Sequence, residues 1–321
     1  MNALQDVLHP AGVQAGHIAH LWWFTVALCA VVFVAILAGL SYALWRAPRA
    51  DARSAPDMAS MDRPESGAKR AVVTAVALSI LGLLALLGAS VATDRALATL
   101  PLENAVHIEV VGHQWWWQFN YDDPIPARVF STANEMHIPV GRPVVITLQA
   151  GDVIHSFWVP NLHGKKDLIP GRITTIQLRA DQAGTYRGQC AEFCGLQHAF
   201  MAFTVVAEDD AAFQRWADAQ RKPAPEPTDA KARRGHDLFM SGTCMMCHPI
   251  SGTTANARKA PDLTHIASRP TLAAGTLPND PQGLAAWIRD PQKLKPGAQM
   301  PAHHVPDDEL DALVAYLETL R

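Results

Sequence analysis

Two thiols, an imidazole and a thioether fall within one short run, Cys190-Ala191-Glu192-Phe193-Cys194-Gly195-Leu196-Gln197-His198-Ala199-Phe200-Met201. Soft sulfur donors beside an imidazole suit copper better than zinc or calcium. Cys190 and Cys194 could instead close a disulfide in an oxidising compartment, but His198 and Met201 would have no part in one. A second motif, Cys244-Met245-Met246-Cys247-His248, reads as covalent attachment of a c-type haem. Zinc is disfavoured there because no second cysteine pair follows. Together the two motifs describe electron transfer.

Nuclearity follows from the donor count. A mononuclear blue-copper centre uses one thiolate, two imidazoles and a weak thioether, which leaves a second thiolate without a role. Two thiolates can bridge two coppers, each holding one imidazole, and the weak positions then fall to the Met201 sulfur and to a backbone carbonyl such as that of Glu192. The second imidazole has a candidate upstream in Asp152-Val153-Ile154-His155-Ser156-Phe157-Trp158. A strand there would carry His155 to the same end of a β-fold as the cysteine loop.

That β-fold is visible in the spacing. His107–Val111, Val144–Leu148, Ile173–Leu178 and Ala202–Val206 are short β-branched runs punctuated by Gly, Pro, Asp and Asn. They predict an antiparallel sandwich or barrel over residues 101–220. Upstream, no residue from Leu21 to Trp45 or from Ala71 to Thr93 is charged. Each run meets the roughly 20 apolar residues that span a bilayer, and Trp22, Trp23 and Trp45 sit where aromatic rings favour the lipid boundary. A signal peptide would need a basic n-region, whereas residues 1–20 hold no Lys or Arg. The connection between the runs carries Arg46, Arg49, Arg53, Arg63, Lys69 and Arg70. The positive-inside rule keeps that loop cytoplasmic and puts both termini outside. Cys29, within the first run, reads as a small apolar residue.

The region around the cysteine loop resembles the copper-A domain of cytochrome c oxidase subunit II. The resemblance rests on His155-Ser156-Phe157-Trp158-Val159-Pro160, on Ile169-Pro170-Gly171-Arg172 and on the whole Cys190-to-Met201 loop, preceded by two membrane helices in the family's order. It implies a cupredoxin fold with copper ligands His155, Cys190, Glu192 by its carbonyl, Cys194, His198 and Met201. It also implies a magnesium site shared with subunit I through the Glu192 carboxylate, the alternative being a solvent-facing acid. In His113-Gln114-Trp115-Trp116-Trp117, Trp115 matches the tryptophan through which electrons reach copper, and at least one of the three indoles is expected simply to pack. One departure is the second membrane run. Many relatives carry a glutamate there near a proton channel, and residues 71–93 contain no acid.

After Trp216 the composition changes at Arg221-Lys222-Pro223-Ala224-Pro225-Glu226-Pro227-Thr228-Asp229, which predicts a semi-rigid extended spacer. The chain beyond it resembles class I cytochrome c. Cys244 and Cys247 match the thioether positions and His248 the proximal ligand, while Gly235 and Phe239 match a packed N-terminal helix. Pro261 matches the proline whose carbonyl steadies the proximal imidazole, and Trp287 a residue that bonds a haem propionate. Lys295-Pro296-Gly297-Ala298-Gln299-Met300-Pro301 matches the distal loop, with Met300 as sixth ligand and His303 and His304 as competitors. Methionine opposite histidine raises the potential. Pro306 and Asp307 start an amphipathic final helix with Leu310, Leu313, Val314 and Leu317 on one face.

The expected architecture is a multidomain membrane protein: a two-helix transmembrane hairpin, an all-β cupredoxin sandwich and an all-α cytochrome c domain. Residues 1–20 form an N-terminal periplasmic segment, 21–45 and 71–93 the membrane helices, 46–70 a cytoplasmic loop, 101–220 the copper-A domain, 221–230 the linker and 231–321 the cytochrome domain. The expected role is that of subunit II of a proton-translocating cytochrome c oxidase in a bacterial inner membrane. Electrons would pass from cytochrome c or another periplasmic or membrane donor through haem c and dicopper to the haem–copper subunit I, with other oxidase subunits and lipid as neighbours and no nucleic acid. Acidic residues outnumber basic ones over 101–220 while 231–321 is near neutral, so docking of a tethered haem domain need not be strongly electrostatic. Two rivals are the electron-accepting subunit of a copper-A nitric oxide reductase and a membrane-anchored copper chaperone or thiol oxidoreductase. The second would require a thioredoxin-like βαβ pattern and leaves Met201 and the haem motif unexplained. Nitrous oxide reductase would need a large preceding propeller.

Overall fold

The computed structural model describes residues 4–47 and 64–321 together with Ala55 and Met58. Arg49, Arg53 and Arg63 of the basic connection lie outside the described residues. Residues 17–99 form one compact unit, and the N-terminal segment with residues 100–321 forms another.

The first unit is helical. Helices α1 (Val13–Arg46) and α2 (Ser66–Ala98) run for 34 and 33 residues, roughly 50 Å each at about 1.5 Å per residue, longer than a hydrocarbon core of about 30 Å. Their most apolar stretches have a mean hydropathy of 2.6 and 2.5 and leave their side chains outside any protein core. Two of the hydroxyls are satisfied within the helix, Thr25 Oγ1 donating to Leu21 O at 2.8 Å and Ser79 Oγ to Ala75 O at 2.9 Å. A lipid-facing helix needs such internal partners.

The second unit opens with a sandwich of ten strands: β1 (Val106–His113), β2 (Trp116–Asp122), β3 (Phe130–Ala133), β4 (Glu135–Pro139), β5 (Val144–Ala150), β6 (His155–Trp158), β7 (Lys166–Leu168), β8 (Thr174–Leu178), β9 (Gly184–Cys190) and β10 (Ala202–Glu208). They form two five-stranded sheets, ordered β3-β2-β1-β5-β8 and β4-β10-β9-β6-β7. Each sheet is mixed, which corrects the expectation of an antiparallel fold. β1 pairs parallel with β5, and β4 parallel with β10. In both cases several strands intervene along the chain, long enough a crossover for parallel neighbours. Strand alternation sends Val110, Phe119, Ile146 and Val205 inward, where each is fully buried. Trp117, Phe157 and Phe203 meet edge-on or stacked in the same core. The N-terminal segment is sewn onto this sandwich: Leu4 bridges Tyr186 in parallel, and Ala11 N donates to Asn161 O at 2.7 Å.

Helix α3 (Asp210–Gln220) closes the sandwich, its first turn capped by Asp209. Residues 223–228 have no regular structure, yet they are not loose. Ala224 N donates to Ser251 O at 2.9 Å, and the Lys222 carbonyl lies 3.1 Å from His265 Nε2. The following module is built from α4 (Ala230–Ser241), a short β11/β12 hairpin (Thr271–Leu272, Leu277–Pro278), α5 (Pro281–Arg289), α6 (Pro291–Leu294) and α7 (Asp307–Leu317). Helices α4 and α7 cross at Gly235, where a Cβ would sit 1.9 Å from the Ala312 carbonyl oxygen. Only glycine permits that approach. Leu310, Leu313, Val314 and Leu317 of α7 are buried against α4 and α5, and acidic Asp307, Asp308 and Glu309 fill its first turn, where the helix dipole favours them.

Candidate metal and haem centres

The cysteine loop hangs between two strands of one sheet. β9 delivers Cys190 at its end and β10 begins after Met201, and Cys190 N donates to Met201 O at 3.0 Å, tying the loop shut at its base. β6 pairs with β9 at Phe157 and Cys190, so His155 starts its strand beside the loop. The geometry is compact. Cys190 Sγ and Cys194 Sγ are unbonded and 3.7 Å apart, His155 Nδ1 is 3.8 Å from Cys190 Sγ and His198 Nδ1 is 3.6 Å from Cys194 Sγ. Met201 Sδ lies 3.8 Å from Cys194 Sγ, and Glu192 O 3.1 Å from Cys190 Sγ. Among the described residues His155, Cys190 and Cys194 form the one buried cluster of metal-ligating type.

Thiols this close do not ionise independently. A hydrogen bond from Cys194 favours the Cys190 thiolate and draws its pKa down, and the same contact with burial pushes the Cys194 pKa up. Burial acts against a charged His155, but Asp152 and the Cys190 sulfur outweigh it and raise its pKa. Asp152 was not singled out in the sequence. Its Oδ1 lies 2.8 Å from His155 Nε2, and its Oδ2 accepts from Gln114 N at 2.6 Å. Burial would raise its pKa, but hydrogen bonds from His155, Gln114 N and Val153 N hold it below the usual carboxylate range. This carboxylate orients His155 with Nδ1 toward the sulfurs. The donor set of two thiols, two imidazoles, a thioether and a carbonyl around one small volume fits copper.

The indoles of the aromatic run take different roles. Trp117 is core, fully buried. Trp116 stacks on His113, with ring centroids 4.4 Å apart. Trp115 donates from Nε1 to the Cys194 carbonyl at 2.9 Å, and Gln114 Nε2 donates to the same oxygen at 2.8 Å. Gly195, at φ +111°, turns the loop beneath them. Glu192 keeps its carboxylate exposed.

A cavity of about 520 Å³ occupies the C-terminal module and is lined by Cys244, Cys247, His248, Trp287 and Met300. His248 Nδ1 donates to the Pro261 carbonyl at 2.8 Å, leaving Nε2 for the cavity, and burial lowers its pKa. Arg269, nearly buried, reaches the same wall with its Nε unpartnered. An apolar slot with a steadied imidazole, two thiols and an unsatisfied guanidinium N–H fits haem with its propionates. Gln292 clamps the Met300 loop, donating to the Ala298 and Met300 carbonyls at 2.6 and 2.8 Å. His303 lines the cavity, whereas His304 is exposed and does not. Trp115 and Trp116 of the sandwich line it too.

Comparison with known proteins agrees with both halves. The cytochrome c oxidase subunit II periplasmic domain matches residues 124–208, and cytochrome c matches 232–321. Cytochrome c oxidase subunit 2 of Alkalihalophilus pseudofirmus is 38% identical over 251 residues, covering 78% of this chain and 71% of that protein. The chain belongs to the cytochrome c oxidase subunit 2 family. The same protein of Bacillus sp. PS3 is 33% identical over 231 residues, 68% of this chain and 63% of the relative. The crystal structure of the periplasmic domain of subunit II of the Bradyrhizobium japonicum oxidase is 30% identical, with a TM-score of 0.35, covering 38% of this chain and 97% of that one. Membership of the family with a cytochrome c domain implies copper and haem binding and makes the chain a component of an oxidoreductase.

Two side chains that brace the copper site carry no motif in the sequence: Asp152 and Gln114. Asp152 has a local signal, an acid three residues before a candidate ligand. Gln114 acts through a contact with the distant Cys194 carbonyl.

Proposed function

We propose that the chain is the electron-accepting subunit of a membrane-bound cytochrome c oxidase, carrying a covalent haem c and a dicopper centre in one polypeptide. When bound, these groups supply the one-electron carriers of a relay from a periplasmic or membrane donor to an oxygen-reducing haem–copper subunit I. Cys190 and Cys194 as thiolates and His155 and His198 as imidazoles would hold the copper, with Met201 and the Glu192 carbonyl as weaker donors. Cys244 and Cys247 would anchor the haem by thioethers and His248 and Met300 would ligate its iron, with Pro261 steadying the imidazole and Trp287 a propionate. The membrane helices anchor the chain with both cofactor domains outside, and the exposed Glu192 carboxylate is free for a magnesium ion shared with subunit I, as the family resemblance implies.

One observation carries this reading. Trp115 belongs to both sites: its indole N–H bonds the carbonyl of Cys194, and its ring forms part of the haem-cavity wall. Metal and haem analysis of the full detergent-solubilised chain tests it. Two coppers for each haem, with a mixed-valence spin signal split by two equivalent copper nuclei, are expected. A single copper, or a reducible Cys190–Cys194 disulfide in metal-free protein, would overturn it.

A further inference from the structure

The haem module rests on the copper domain through a small set of directed bonds. Gln197 Nε2 donates to the Pro296 carbonyl at 2.7 Å, and Ala202 N to the Ala274 carbonyl at 3.1 Å. Between them lies Lys295, which is 2% exposed. Its ammonium donates to Trp115 O at 2.8 Å and Phe200 O at 2.8 Å on the copper side and to Ala273 O at 2.9 Å on the haem side. All three of its protons are used, and among the described residues no carboxylate pairs with it.

A buried ammonium is a costly way to fill a seam between two domains. An aliphatic side chain of the same length would fill the volume without desolvating a charge. What the ammonium adds is direction: three carbonyls converge on one point in one relative placement of the two domains, and a slide of even an ångström would leave a desolvated charge unsatisfied. The haem side has a matching distortion. Ala273 and Ala274 both adopt the left-handed conformation, at φ 52° and 60°, followed by Gly275 at 81°. Residues with a Cβ avoid that region, and two in succession persist only where the surroundings hold them. The turn's carbonyls are the ones that meet Lys295 and Ala202.

We propose that Lys295 is a register pin: a positioning residue that locks the haem module onto the copper domain in the single placement that sets the Met300 loop against Trp115. Lys295 stands in the Met300 loop and grips the carbonyl of Trp115 itself, so it fixes the separation across which an electron must tunnel. The pin governs uniqueness of placement more than strength of docking. The proposal rests on the copper and haem roles proposed above.

The test uses Lys295→Met and Lys295→Gln in the assembled oxidase. Haem-to-copper electron transfer is followed after flash photoreduction of the haem, and amide hydrogen exchange is followed in peptides covering 196–202 and 271–276. In the parent chain a single exponential is expected. In Lys295→Met the transfer should become multi-exponential with a mean rate about tenfold lower, short of the roughly hundredfold that an ångström of misplacement can cost an oriented reaction. Exchange should rise in both peptides, while the methionine–iron absorption band and the copper spin signal stay as they were. Lys295→Gln, which keeps two N–H donors, should recover part of the rate. Unchanged single-exponential transfer in Lys295→Met would overturn the pin. So would slowed transfer with an altered haem band or copper signal, since Lys295 would then act on the cofactor loops, and so would failure of both variants to accumulate as folded chains. A parent chain lacking copper or haem would sink the functional reading instead, and the exchange measurement would still judge the pin.

Discussion

The copper loop and the haem module hold comparable numbers of candidate ligands in opposite ways. In the copper loop the sulfur and nitrogen donors already stand within 3.8 Å of a neighbouring donor, braced by β6, β9, Asp152 and Trp115. In the haem module Cys244, His248 and Met300 stand around a cavity of about 520 Å³ with helices packed outside it. A β-sandwich with its own aromatic core needs no metal to fold, whereas a module of some ninety residues whose helices surround a haem-sized cavity would take the centre of its core from the haem. Copper is expected to be an occupant of a finished site, and haem a part of the structure.

The largest effect should come from breaking that contrast on the haem side. Cys244→Ser with Cys247→Ser removes the haem's covalent anchors and should leave much of the chain without haem. At about 24 cal/mol per Å³ a 520 Å³ void amounts to at most roughly 12 kcal/mol, comparable to the whole stability of a domain. Limited proteolysis of the full chain should then remove residues beyond about 230 and spare the sandwich. Survival of the module would show that its helices carry their own core. Next in size is Gly235→Ala, whose methyl would meet the Ala312 carbonyl at the α4–α7 crossing. It should cost about 1–3 kcal/mol, read as a lower melting temperature of the haem transition alone. On the copper side, Asp152→Asn should leave thermal unfolding of the sandwich unchanged and weaken copper binding by about 10- to 100-fold, through loss of the His155 brace. Titration with copper of the metal-free chain checks it, and an unfolded sandwich would contradict the idea of a finished site. The smallest effect is expected for Met300→Ala. The fold should persist with Gln292 still bonding the loop carbonyls, but the methionine–iron absorption band should vanish. Absence of that band already in the parent chain would move the sixth ligand to His303, which reaches the cavity, rather than to exposed His304.

Much of the candidate site is legible because its possible donors sit in short motifs. The Cys190–Met201 loop and Cys244–His248 each bring their donors together within one or two turns of chain, so spacing alone indicates the chemistry. His155 was legible for a different reason: strand alternation and a shared edge of the sandwich put it beside the loop. The apolar face of α7 at Leu310, Leu313, Val314 and Leu317 follows from helical periodicity. What escaped depends on partners far apart in sequence. Parallel pairing of β1 with β5 and of β4 with β10 leaves no mark in alternation, and so the sandwich read as antiparallel. Lys295 looks like any solvated loop lysine, and only the converging carbonyls of Trp115, Phe200 and Ala273 explain its burial. The proline linker was read as a spacer, and its hydrogen bonds to Ser251 and His265 come from the surface it crosses.

The central claim is that haem and copper communicate through Trp115. The most direct measurement is haem-to-copper electron transfer after flash photoreduction in Trp115→Leu, with Trp116→Leu as its companion. Trp115→Leu should slow transfer sharply while copper and haem contents stay at their parent ratio, and Trp116→Leu, whose ring stacks on His113 instead of touching the copper loop, should change it little. Transfer at the parent rate in Trp115→Leu would contradict it.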